Sequence, residues 1–147
     1  MKFLFPNPVN QLSLEERKAH AELMVIIASI DGELVQEELA IIESMMGISM
    51  LHPEMRVDIR NMLTHPSNFD EVVSSLSGEG LKIALRDGAL VAAVDGNYDK
   101  KELKILKSLA KLAGIDNKEL SELFEWVEET WKQYKISDSI LSIDQIS

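Results

Sequence analysis

Two short stretches of this sequence set acidic residues at a spacing that can carry chemistry. Asp31-Gly32 is followed by Glu38, and Asp95-Gly96 by Glu102; in both, the glutamate comes seven residues after the aspartate. Carboxylates and backbone carbonyls are the ligands that a hard divalent cation prefers, calcium being the first candidate. The spacing Asp-Gly-x5-Glu is also that of the last part of an EF-hand loop. A true EF-hand is not expected. The positions four and two residues ahead of each aspartate are Ile27 and Ser29, or Val91 and Ala93, and supply no carboxylate.

Helical geometry turns both glutamates inward. At about 100° per residue, Glu38 falls within the arc of Leu39, Ile41, Ile42, Met45 and Met46. Glu102 falls in the same way among Leu103, Ile105, Leu106, Leu109 and Ala110. A carboxylate facing an apolar stripe must meet donors or a cation, because burying it unmatched costs several kcal/mol. The aspartates stand close to a helix C-terminus, where a negative charge opposes the dipole by about 0.3–1 kcal/mol. Two readings follow. In one, each glutamate reaches back to its own N-cap and each aspartate ties the turn; Asp99 suits this for Glu102, whereas Val35 cannot cap for Glu38. In the other, oxygens from one or both turns converge on a divalent cation.

Other chemistries find little here. The chain has no cysteine, which removes disulfides, thiolate metal sites and cysteine nucleophiles together. His52 and His65 each precede proline, and His20 lacks the Glu three residues earlier of a carboxylate di-iron bundle. No Gly-x-Ser-x-Gly elbow, phosphate loop or His-Glu-x-x-His motif occurs. None of the histidines reads as a placed base, and an enzyme is not expected.

The elements that must position the acids are helices. Ser13-Leu-Glu-Glu16 is a capping box opening a first helix over about 14–30, stopped at Asp31-Gly32. A second covers about 36–46 and ends at Gly47; Pro53 opens a third to about Leu63; a short one spans about 68–76. Ser77 to Gly80 reads as linker and cap before a fifth helix reaching Val94. Asp99 opens a sixth that closes at Gly114, and Asp116 opens a last helix to about Tyr134, followed by a tail over 135–147. Nothing alternates with period two over strand length. The expected fold is all-α, a compact bundle of about seven helices in a single domain.

That domain has an internal repeat. Residues 25–46, VIIASIDGELVQEELAIIESMM, align without a gap on 89–110, ALVAAVDGNYDKKELKILKSLA. Each copy is a helix, an Asp-Gly turn and a second helix, and neither can bury its apolar face alone. Two pseudo-symmetric hairpins are therefore expected to pack on each other, one within 14–48 and one within 79–115, with connecting helices over 53–76. Ala84, Gly88 and Ala92 recur every fourth residue where the first helices of the copies would cross. Glycine within a helix costs about 1 kcal/mol against alanine, so Gly88 points to a close approach that needs it.

An apolar helix ending in SIDGE (Ser29 to Glu33), a Glu seven residues after the Asp, and then another apolar helix resembles the TerB-like tellurite-resistance family. The likeness covers residues 20–48 and again 84–115. It implies an all-helical stress-response or metal-response protein, with Asp31, Glu38, Asp95 and Glu102 as the residues matching the family's acidic, cation-binding positions. The sequence departs from the pattern at Val35 and Asn97, which makes the two half-sites unequal.

Charge and composition frame the partners. The formal net charge of −10 repels phosphate backbones and anionic membranes, so nucleic acid is not an expected partner. Lys100, Lys104, Lys107 and Lys111 form a basic stripe; Glu119, Glu122, Glu125 and Glu129 form an acidic face on the last helix. These read as solvated faces or as docking surfaces for other proteins, a second copy of the chain included. Trp126, Trp131 and Tyr134 are expected to anchor the last helix, or else to offer a groove to a partner. The longest apolar run is too short to span a bilayer and the first residues do not read as a secretory signal, so a cytoplasmic protein is expected.

Overall fold

Helix starts follow the side chains that can accept from free backbone amides. Ser13 Oγ accepts from Glu16 N at 3.2 Å, Asn68 Oδ1 from Glu71 N at 3.2 Å and Ser77 Oγ from Gly80 N at 3.1 Å. Asp99 Oδ2 accepts from Lys101 N at 2.8 Å, and Asp116 Oδ1 from Glu119 N at 2.8 Å. Each satisfies one of the orphan donors of a first helical turn. The structure, a computed structural model, describes residues 7–30, 32, 34–94 and 98–143. They form a 3₁₀ turn over Pro8–Gln11 and seven α-helices: α1 (Leu14–Ser29), α2 (Gln36–Ile48), α3 (Pro53–Asn61), α4 (Phe69–Ser74), α5 (Gly78–Ala92), α6 (Lys100–Ala113) and α7 (Asn117–Ile140). The all-α expectation holds, and no strand occurs among the described residues.

The two hairpins carry the core. α1 lies against α5 along much of its length, α5 against α6 and α1 against α2, while α6 also touches α1 and α2 touches α5. The small-residue stripe does what its spacing implies. A Cβ added at Gly88 would stand 2.6 Å from Ile27 Cδ1, so α1 and α5 meet where only hydrogen fits. Ala84 and Ala92 are buried on the same stripe. With an offset of 64 residues (89 − 25) between the copies, α1 carries His20, Leu23 and Met24 where α5 carries Ala84, Asp87 and Gly88. Large residues on one helix thus answer small ones on the other. The remaining core is aliphatic, with Leu23, Met24, Ile27, Ile42, Met46, Ile59, Leu106 and Leu109 fully buried.

Several boundaries differ from the sequence reading. α2 does not stop at Gly47 but runs through it to Ile48, and the left-handed residue is Met50, with φ of 56°. Past this longer helix Leu51 is buried in the core, and Arg17 Nη1 on α1 donates to Ser49 O at 2.9 Å, fixing that end. Gly78 and Gly80 belong to α5 and not to a linker. At Gly80 a Cβ would stand 2.7 Å from Glu16 Oε1, which itself accepts from Ser77 N at 2.7 Å. α7 continues six residues past Tyr134, so the expected tail is helical as far as Ile140, and every described residue from Lys132 onward is exposed. Asp138 and Ser137 continue the helix without adding core contacts. No helix among the described residues is long and apolar enough to cross a membrane.

Candidate functional site

In sequence, Asp31-Gly32 falls between α1 and α2, and Asp95-Gly96 between α5 and α6. Gly32 takes a left-handed φ of 83° and its N–H donates to Ser29 O at 3.0 Å, closing α1 as glycine past a helix end does. Asp31 and Asp95, two of the four candidate ligands, lie outside the described residues. The other two are placed, and both face inward as the helical arc requires. Glu38 is 5% exposed and Glu102 is 4% exposed. Each occupies the third position of its helix and accepts from its own N-cap amide: Val35 N donates to Glu38 Oε1 at 3.4 Å, and Asp99 N to Glu102 Oε1 at 3.2 Å.

Asp99 completes the second box by capping Lys101, whereas Val35 has no acceptor to return the bond. The inequality read from the sequence is therefore real at the level of hydrogen bonds. Beside Glu102, the Tyr98 ring packs on Phe124 with centroids 4.9 Å apart. Burial, with the Glu102 and Glu128 charges adding, pushes the Tyr98 hydroxyl up to about 12. Among the described residues no three His, Asp or Glu side chains converge as a metal cluster.

A third capping box provides an internal comparison. Glu119 on α7 accepts from Asp116 N at 3.2 Å, the same contact at the same helical position, yet it is exposed. Capping a helix therefore does not require burying the glutamate. Burial belongs to the two that follow an Asp-Gly turn.

The sequence reading missed a buried ionic cluster. His20 on α1 and Asp87 on α5 are both fully buried, with Nε2 and Oδ2 2.8 Å apart. An ionised carboxylate only accepts, so the imidazole donates from Nε2. Asn7 Nδ2 donates to the same oxygen at 3.1 Å, and Arg86 Nε donates to Oδ1 at 3.1 Å. The signal lay in the repeat itself, where Asp87 falls at the position that copy one gives to Leu23. A polar residue at an apolar repeat position needs a partner on the crossing helix. Closed to solvent between α1 and α5, the pair has no face toward a substrate and serves to pin one helix to the other.

Burial alone would raise the Asp87 carboxyl, but hydrogen bonding to and attraction by His20, with Arg86 and Asn7 adding, hold it below its ordinary value. A carboxyl depressed in the folded state stabilises the protein above its unfolded value of about 4, and that contribution is lost as the pH falls through and below it. The melting temperature is thus expected to fall steadily from about pH 4 downward. A thermal scan against pH checks this, and the slope should be shallower in Asp87→Asn.

The last helix divides differently from expectation. Leu120 and Val127 are buried, and Trp131 is partly buried with Nε1 donating to Leu90 O at 3.2 Å. Trp126 and Tyr134 are exposed and do not anchor the helix. Trp126 precedes the buried Val127 and is turned about 100° away from it. Tyr134 is on the correct side, but the core ends before reaching it.

Comparison with protein-family models, with curated proteins and with solved structures finds no match to this chain.

Proposed function

We propose that this chain is a non-catalytic, TerB-like stress-response or metal-response protein of the cytoplasm whose two Asp-Gly turns hold a divalent cation, calcium first among them. The observation that carries the reading is the contrast among three glutamates with the same capping contact. Glu38 and Glu102, each following an Asp-Gly turn, are buried, while Glu119, which follows none, is in solvent. Carboxylates brought into a helical core at both copies of a repeat supply the hard oxygens that such an ion takes. Glu38 and Glu102 would hold it together with Asp31 and Asp95. The ion's charge would offset the buried carboxylates and the acids at the helix ends, and so lock each turn to the helix that follows.

The test is thermal melting with calcium, magnesium or manganese against chelator. A cation binding only the folded chain, at 100 times its dissociation constant, adds about 2.7 kcal/mol. For a chain of this size that raises the midpoint by roughly 5–10 °C. Glu38→Gln, Glu102→Gln and Asp31→Asn should each shrink the gain, while Glu119→Gln should leave it intact. If no ion moves the midpoint of the unaltered protein, the cation reading fails.

A second reading, a metal-free interaction module, is favoured by the lysines of α6. All are exposed and none lies within 4 Å of a carboxylate among the described residues.

A further inference from the structure

We infer that the basic stripe of α6 docks onto the acidic, tryptophan-bearing face of α7 of a second copy of this chain. Lys100, Lys104, Lys107 and Lys111 are spaced by four, three and four residues, so they lie within an arc of about 60° and a length of about 16 Å. All four are exposed, and no ion pair among the described residues uses any of them. Like charges three and four residues apart repel, so the isolated stripe works against its own helix. That conflict is relieved by a partner of opposite sign.

The partner's chemistry is displayed on the next helix. Glu122, Glu125 and Glu129 share an arc of about 100° with Trp126. Trp126 is 46% exposed. Glu122 and Glu125 form no ion pair among the described residues, and Glu129 meets only Lys132, at 3.7 Å. A large aromatic ring bracketed by carboxylates suits lysine on both counts. The ammonium meets acid or the ring face, and the methylene stem covers the ring. Tryptophan is also the residue most enriched among interface anchors.

A second copy fits better than a long polyanion. Outside the stripe the molecule is strongly acidic, with a net charge of −10 even when the lysines are counted. A strand of phosphates longer than the stripe would overrun onto repelling surface. Two copies of the chain share that long-range repulsion, but at physiological salt it is screened beyond about 8 Å, whereas contacts at the stripe act well inside that distance. The inference does not depend on a cation at the Asp-Gly turns.

Sedimentation equilibrium on the full chain, from about 10 µM to about 1 mM, tests it. The weight-average mass is expected to rise with concentration at about 0.1 M salt and to return to that of one chain at about 0.5 M, where screening reaches within a few ångströms. Lys104→Glu with Lys107→Glu should weaken association at least tenfold, and so should Glu122→Lys with Glu125→Lys. Mixing these two doubly reversed proteins should restore a mixed species, because the reversed stripe of one matches the reversed face of the other. Melting temperatures of the variants, all altered at exposed positions, check that the fold is kept. A single-chain mass at every concentration and salt overturns the proposal. So does self-association that ignores the reversals, which would place the contact elsewhere, such as on Ile136 and Ile140 at the end of α7 and Ile143 just beyond it. A mixture that stays unassociated overturns it too.

Discussion

Asp87→Ala is expected to destabilise the protein by about 3–5 kcal/mol, the usual cost of removing one member of a buried ion pair. At a few degrees per kcal/mol for a chain of this length, the melting midpoint should fall by the order of 10 °C. The size of the effect follows from what is left behind. His20 has no other hydrogen-bond partner among the described residues, so its ring would keep two bare nitrogens in an aliphatic core. Asn7 would lose the contact that ties the N-terminal segment to α5; Arg86, partly exposed, can turn to water. Replacing both members with leucine should recover much of the loss, since an apolar pair of similar volume avoids the desolvation that the buried polar groups suffer. Denaturant titration of the two variants decides the matter. A cost below about 1 kcal/mol for Asp87→Ala would mean that the pair does not hold α1 to α5.

Gly88→Leu is the second large effect, with an expected loss of about 3 kcal/mol or more from overpacking. The first carbon of any side chain at this position already stands 2.6 Å from Ile27 Cδ1 and 3.4 Å from Leu106 Cδ2. Gly88→Ala sets two effects against each other. Helix propensity gains about 1 kcal/mol, while the contact with a fully buried isoleucine costs about 1–3 kcal/mol, so a smaller net loss is expected. Ile27→Val removes the δ-methyl that collides. In the Gly88→Ala background it should therefore cost less than it does alone, and a double-mutant cycle measures that coupling. Equal costs in both backgrounds would place the close approach elsewhere.

Those positions show how much of the fold could be read in advance. The spacing of Ala84, Gly88 and Ala92 marked the α1–α5 crossing because a small-residue stripe lets two helix backbones approach closely and supplies little else. The inward turn of Glu38 and Glu102 followed from angular position alone and holds to within a few per cent of exposure. The starts of α1, α6 and α7 were legible because the caps at Ser13, Asp99 and Asp116 are local, whereas α5 begins at Gly78, within what read as a linker. Helix ends were less so: Gly47 looked like a stop, but α2 runs two residues further, with Arg17 holding Ser49 O just past its end. The His20–Asp87 pair was not legible in either helix taken singly, since what identifies each residue is the other, 67 positions away. The reach of α7 past Tyr134 had no apolar signal, because that part of the helix covers nothing.

The uneven division of bulk between α1 and α5 has a consequence for the duplication itself. Were the chain made of two first hairpins, Met24 would confront a second methionine and the imidazole would lose its aspartate. With two second hairpins, glycine would face glycine across a hollow. The two hairpins form a mismatched couple, each shaped to the other's lack, and neither half could stand in for its twin.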